Sequence, residues 1–567
     1  MTTAAVPGLR RVCWFGESAA AGYLCAPHLT PARLLEAQLR EAAGGDTAWE
    51  VIDRSRINER LSGLVASVEA AVALQPDHLV VYAGNNHRLL ETPELSPFAP
   101  PGRRELAAAL RDEGALGAAR LARRRGAERT AFTYERIADA ATALGAPLTL
   151  VLPEVSLADW ESHQPPVRLP GDGTARWHRL CVESRAALAA GRVADAERAA
   201  WRMVDLDGGL GPTPFRLLAA AARFDGRDAD ARDAAVSEVD AVHYPLLASL
   251  AAPQAGTPER HVLAAVAERR GLAVVDLRRV IADWTGSLLP GRHLFLDYCH
   301  LSPEGMGVAT AAVAAELLRQ AGAEPPEDAW RRLAAKPAGS LVDSWTPAAE
   351  ATARFGAAIH TAHRHLPVTD RGELLDAWCA AALDADPEAA AAAMLDLADA
   401  RTAPGPGLLT AAQQRNLARP APLGLQHGWR WPHLDADLLT AMGRRLAAAG
   451  REDDAAEIER MIVGRRALPA AGAELAGDGF HLARPVARLL PEAMAQPGLA
   501  PRAALRCAWP ETAFDLVTAG PGEIELELVA RTPEREGGRL GVALSGAGGA
   551  LAVGRGWRRG KLRLAVP

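Results

Sequence analysis

Lysine is nearly absent from this 567-residue chain, with only Lys336 and Lys561 among its 63 basic residues. That leaves almost no room for catalysis through a lysine amine. Basic residues do not exceed acidic ones either, 63 against 69, for a net charge of −6. The electrostatic footprint of a nucleic-acid binder is therefore missing. The six cysteines, Cys13, Cys25, Cys181, Cys299, Cys379 and Cys507, are scattered with no C-x-x-C pair. Neither a disulfide framework nor a cysteine zinc site is signalled. No apolar run reaches the roughly 18–20 residues of a membrane helix, and the run 308–318 is broken by Glu316. The opening MTTAAVPGLRRVCWFG is too short in apolar residues for a signal peptide. These absences predict a cytoplasmic location with neither membrane nor nucleic acid as a partner.

What is present is ordinary globular composition, 49% hydrophobic and 23% charged. At about 100–200 residues per domain, the length predicts three or four domains. Up to about residue 325, short apolar runs alternate with helical patterns. Strands are predicted at 11–15, 49–52, 79–82, 148–152 and 272–275, with helices between them and a last helix over 303–320. Such alternation implies βαβ crossovers and a parallel sheet, with ligands at the carboxyl ends of the strands.

One connection, over about 155–258, is far longer than an ordinary βα loop. It holds a repeat: ALAAGRVADAERA (187–199) returns as ARFDGRDADARDA (222–234), placing Gly191 and Gly226 35 residues apart. Helix-turn-helix units of about 34 residues characterise tetratricopeptide repeats, and the segment 165–250 resembles them. Two units rarely bury a core alone, so this insertion should lean on the sheet domain and could offer a protein partner a surface. A helical region over 340–466 follows, with another Gly-Arg turn at 446–461. Residues 495–567 predict a small antiparallel β module, since EIELELVA (523–530) alternates strictly and PEREGG and GAGG look like turns.

Three blocks at the ends of predicted elements carry chemistry. Gly16-Glu17-Ser18-Ala19-Ala20 follows the first strand, and a serine in such a small-residue turn can expose its hydroxyl and offer its own N–H. Gly84-Asn85-Asn86-His87 follows the third strand, and an asparagine amide there can aim an N–H at a developing oxyanion. Asp297-Tyr298-Cys299-His300 precedes the last helix, a spacing that lets a carboxylate fix one imidazole nitrogen while the other faces the cleft. Ser302 is predicted to cap the helix that Pro303 begins.

Taken in this order, the blocks resemble the SGNH hydrolase superfamily, also called GDSL esterases/lipases, over about residues 8–325. The resemblance implies an α/β fold: a parallel-sheet, flavodoxin-like three-layer domain with the helical insertion, then the helical region and the β module. It implies Ser18, Asp297 and His300 as catalytic residues, with no cofactor and no metal. The oxyanion hole would be formed by Ser18, Ser55, Gly84 and Asn86. Ser55 enters because the loop 53–58 lacks the glycine that the family usually places there. Glu17 and His87 stand where the family often has Asp. The implied activity is cleavage of a small-molecule ester through an acyl-enzyme. Acyl transfer by the same intermediate is the alternative, and an inactive repeat-type scaffold is the alternative of another class.

Two other groups invite a bland reading. His360, His363 and His365 have no acidic or cysteine partner at ligand spacing, which predicts a solvated helix face. Trp429 and Trp431 are expected to pack in a core.

Overall fold

A computed structural model describes residues 8–43, 48–87, 100–160, 169–241, 253–323, 326, 328–364, 371–402, 432–465, 479–483, 514–518, 522–530, 538–544, 547–553 and 558–566. The five apolar runs become β1 (Leu9–Gly16), β2 (Ala48–Asp53), β3 (His78–Tyr82), β4 (Leu148–Leu152) and β5 (Ala273–Asp276). They form one sheet in the order β2-β1-β3-β4-β5, and every pairing is parallel. The central strands β3 and β4 are buried at every residue, which is why they are apolar in succession rather than alternating. The winding reverses between β1 and β3. Loops leaving these two strands therefore diverge and open a crevice at their carboxyl ends.

The pleat sends alternate residues to two cores. Val12, Trp14, Val80 and Tyr82 face α1 (Pro31–Ala43), while Cys13, Phe15, Leu79 and Val81 face α2 (Leu61–Glu69) and α3 (Pro100–Leu144). The ends of β1 and β3 approach so closely that a Cβ on Gly16 would lie 2.0 Å from the Tyr82 carbonyl oxygen. Only glycine fits there.

Between β4 and β5 the long connection folds as two helical hairpins: α4 (Gly173–Ala189) with α5 (Val193–Asp207), and α6 (Pro212–Phe224) with α7 (Asp228–Ala241). The sequence repeat is a repeat in space. Gly191 and Gly226 take φ of 70° and 69°, and the following arginines donate their N–H to Ala187 and Ala222 carbonyls at 2.8 and 2.9 Å. The insertion does lean on the sheet domain. Arg232 of α7 forms a buried ion pair with Glu154 and donates to the Leu288 carbonyl. Ala219, Ala235 and Val239 share an apolar cluster with Val155, Leu157, Trp160, Tyr298 and Cys299.

The sheet domain closes with α8 (Thr257–Arg270), α9 (Leu277–Thr285) and α10 (Pro303–Gln320). Ser302 caps α10 as expected, accepting from the Gly305 N–H at 3.1 Å. Next come α11 (Ala329–Ala334), α12 (Ala338–Leu341), α13 (Pro347–Arg364), α14 (Arg371–Ala385), α15 (Pro387–Thr402), α16 (Pro432–Ala448) and α17 (Glu452–Arg465). The α16–α17 turn repeats the Gly-Arg geometry, with Gly450 at φ 74° and Arg451 donating to the Leu446 carbonyl at 2.9 Å. These helices share one continuous apolar core with α1, α10 and the sheet.

At the C-terminus β6 (Gly479–Ala483) pairs with β7 (Phe514–Thr518). β8 (Gly522–Ala530) pairs with β11 (Arg558–Val566), and β9 (Gly538–Leu544) with β10 (Ala547–Val553), all antiparallel. Gly548 and Gly549 lie within β10 rather than in the expected turn. Trp429, Trp431 and residues 495–513 lie outside the described residues. Among the described residues no helix is long and apolar enough to cross a membrane.

The Arg232–Glu154 pair yields a stability test. Arg232→Ala leaves a buried carboxylate unpaired and should cost about 3–5 kcal/mol in urea unfolding. The double variant Arg232→Met, Glu154→Leu should recover most of that loss. An equal loss in the double variant would place the cost in packing instead.

Candidate active site

Ser18 sits in a tight turn directly after β1. The Glu17 carbonyl accepts from the Ala21 N–H at 2.9 Å, the Ser18 carbonyl accepts from the Tyr23 N–H at 3.0 Å, and the Trp14 indole N–H holds the Ala20 carbonyl at 3.0 Å. Glu17 is 2% exposed, and its carboxylate accepts the backbone N–H groups of Asn85 and Asn86 at 2.9 and 3.0 Å. It thereby ties the loop after β1 to the loop after β3.

In that second loop the Asn85 side-chain oxygen accepts from the Ala255 N–H at 2.9 Å, and Asn86 Nδ2 donates to the Glu59 carbonyl at 2.9 Å. Gly84 lies against Pro153, where a Cβ would come within 2.7 Å of the ring. His87 is buried beside Glu17 and Tyr134, and burial together with the nearby Arg129 guanidinium lowers its pKa to about 3. It is neutral at physiological pH.

The Asp297–His300 loop is closed by an isolated antiparallel bridge between Phe295 and Leu301. Within it, Asp297 Oδ1 accepts from the N–H groups of Cys299 and His300, both at 2.9 Å. Such an Asx turn sets the carboxylate and the ring on one side of the loop. His300 Nδ1 lies 2.6 Å from Asp297 Oδ2, and His300 Nε2 lies 2.8 Å from Ser18 Oγ. An ionised carboxylate only accepts, so the proton belongs on Nδ1 and the Ser18 hydroxyl donates to Nε2. Burial works to raise the Asp297 pKa, but His300 and then His360 outweigh it and hold the carboxyl well below the usual range. Burial, with Asp297 and Glu17 adding to it, pushes the Cys299 thiol up, so it is no rival nucleophile.

Ser18, Asn86, Asp297 and His300, drawn from separate parts of the chain, are thus all held at the carboxyl ends of β1 and β3 or in the loop leading to α10. Ser55 is a correction. Its N–H donates to Asp53 Oδ1 at 2.9 Å, and its hydroxyl bonds the same oxygen, so this donor is turned back into its own loop. The loop meets Asn86 further along, at Glu59. Beside it Asn58 takes φ 60°. That is the left-handed conformation, which glycine or asparagine adopts most readily. The loop thus provides its backbone reversal without a glycine.

His360 is the second correction. Far from lying on a solvated face, it is 3% exposed, and its Nδ1 lies 2.7 Å from Asp297 Oδ2. The Tyr23 hydroxyl lies 3.2 Å from its Nε2. The signal was in the sequence: from Phe355 to Ala362 the helix is apolar on nearly every side. A histidine in such a helix must be buried and paired. The His363 side chain and His365 lie outside the described residues. The facing atoms of Asp297, His300 and His360 lie within 4.8 Å of one another. They are engaged in hydrogen bonds, each histidine with Asp297 Oδ2.

This arrangement can pass a proton from Ser18 to His300 while Asp297 faces the resulting imidazolium. No known protein family, curated protein or solved structure matches the chain.

His87 gives this site an acid sensitivity. Its pKa falls from 6.5 in the unfolded chain to about 3 in the folded one. Below pH 6.5 the unfolded state takes up a proton that the folded state refuses. Stability should therefore fall as pH drops from 6.5 towards 3, with a slope approaching ~1.4 kcal/mol per pH unit. His87→Gln removes that proton, and its urea-midpoint profile should be flatter over this range. An unchanged profile would assign the acid loss to other groups.

Proposed function

We propose that the chain is a serine esterase of the SGNH (GDSL) kind that cleaves a small-molecule ester through an acyl-enzyme on Ser18. The observation that carries this reading is the unbroken line Ser18–His300–Asp297, at 2.8 and 2.6 Å, joining residues 282 positions apart. The β2-β1-β3-β4-β5 order supports it, because Ser18 and Asn86 then flank the point where the winding reverses.

His300 Nε2 takes the Ser18 proton as Oγ attacks the acyl carbonyl, and Asp297 steadies the imidazolium. The oxyanion is held by the Ser18 N–H and by the Nδ2 hydrogen of Asn86 that Glu59 leaves over. The imidazolium returns its proton to the leaving alcohol, and water attacks the acyl-enzyme with His300 again as base.

Acyl transfer to an acceptor alcohol is the second reading. It draws support from the insertion, whose α6 and α7 pack against Tyr298 and Cys299 beside the triad and could limit water entry.

Two variants test the proposal. Ser18→Ala should abolish labelling by a fluorophosphonate probe without altering the unfolding midpoint, and wild-type labelling at any other residue would refute the nucleophile assignment. Asn86→Ala should lower kcat on an activated ester by about 10²–10³ with little change in KM. A loss confined to KM would put Asn86 in ground-state binding.

A further inference from the structure

We infer that His360, carried on α13 after the sheet domain has closed, is a positioning residue for the triad: it shares Asp297 Oδ2 with His300 and sets how much negative charge Asp297 presents to the imidazolium. This rests on the Ser18–His300–Asp297 reading and adds to it a second histidine.

The geometry leaves Asp297 no idle acceptor. Oδ1 takes the Cys299 and His300 N–H groups, while Oδ2 faces His300 Nδ1 at 2.6 Å and His360 Nδ1 at 2.7 Å. The Tyr23 hydroxyl lies 3.2 Å from His360 Nε2. With that hydroxyl donating to Nε2, the His360 proton is left on Nδ1, aimed at Oδ2. Packing fixes both rings. Tyr298 lies nearly parallel to His360, 18° between planes at 6.0 Å, and the Tyr23 ring lies 4.7 Å from His300 and 5.2 Å from His360. Asp297 is 4% exposed, so no water competes freely for Oδ2.

Charge-assisted hydrogen bonds to one oxygen draw on the same negative charge. With His360 donating, Asp297 stabilises the His300 imidazolium less than it would alone. Without that donor the full charge of Oδ2 falls on His300 Nδ1, which favours the imidazolium over the neutral ring. The other titratable groups around the pair are Tyr23 and Glu17 on the turn after β1, and Tyr298 and Cys299 in the loop itself. On α13, Glu350 and Arg354 pair with each other. The donors that face Oδ2 are the two imidazoles.

The test is the rate of fluorophosphonate labelling of Ser18 in the full chain as a function of pH, which needs no natural substrate. His360→Phe should label several-fold more slowly and move the acid limb up by about 0.5–1 pH unit. His360→Gln keeps an N–H for Oδ2 and should return the limb towards wild type. If the Phe variant does not fold, His360→Ala with and without added imidazole replaces it, imidazole restoring the limb. An unmoved limb in a folded Phe or Ala variant, whatever its rate, overturns the inference and makes α13 packing alone. Labelling absent from the wild type overturns the esterase reading and this inference together. Labelling present with the limb unmoved overturns only this inference.

Discussion

Everything in the crevice converges on one buried carboxylate. Asp297 accepts two backbone N–H groups from its own loop and one N–H from each of two histidines. An ionised group this deep is tolerated only when its lone pairs are met. That requirement shapes the loop, orients His300 towards Ser18, and brings α13 against the sheet domain. Remove the donors and burial alone would drive the carboxyl towards its neutral form, leaving nothing to hold an imidazolium.

A second buried carboxylate does the same for the opposite wall. Glu17 collects the N–H groups of Asn85 and Asn86, so the turn bearing Ser18 and the loop bearing Asn86 are tied together. The two walls are the ends of β1 and β3, held together by Gly16 because no side chain fits between them. The insertion adds a third wall. Its helices are secured by Arg232 on Glu154 and by apolar contact with Tyr298 and Cys299, so a change in that region bears on the loop that carries Asp297. The helices after residue 340 bear on it through His360. Sheet, insertion and trailing helices thus meet at one loop, and a shift in any of them has a route to Ser18.

Much of the scaffold was legible in the chain. Continuous apolar runs at β3 and β4 announce strands buried on both faces, and strict alternation announces β8. The Gly-Arg turns announce hairpins, because Gly191 and Gly226 end their helices in the left-handed conformation that glycine adopts without cost. The Asp297-x-x-His300 spacing and Ser302 before Pro303 were also readable, since both are contacts within one turn of chain. The Gly548-Gly549 pair misled, because glycines suit a turn and a twisted hairpin strand alike.

Local contacts are written in neighbouring residues, and so the sequence by itself determined the strands, the hairpins, the Asp297 turn and the identity of the groups able to do chemistry. Tertiary structure decided which of them meet. Ser18 and His300 are brought to 2.8 Å by the crossing of β1 and the α10 loop, and no spacing rule spans such a separation. Ser55 lost its expected place because Asp53, two residues away, captured its N–H. His360 gained one because α13 is enclosed on nearly all sides, and a polar ring buried there had to find an acceptor. The physical reason is the same in both cases: a donor goes to the acceptor that folding puts nearest, and only short-range neighbours are known before the chain has folded.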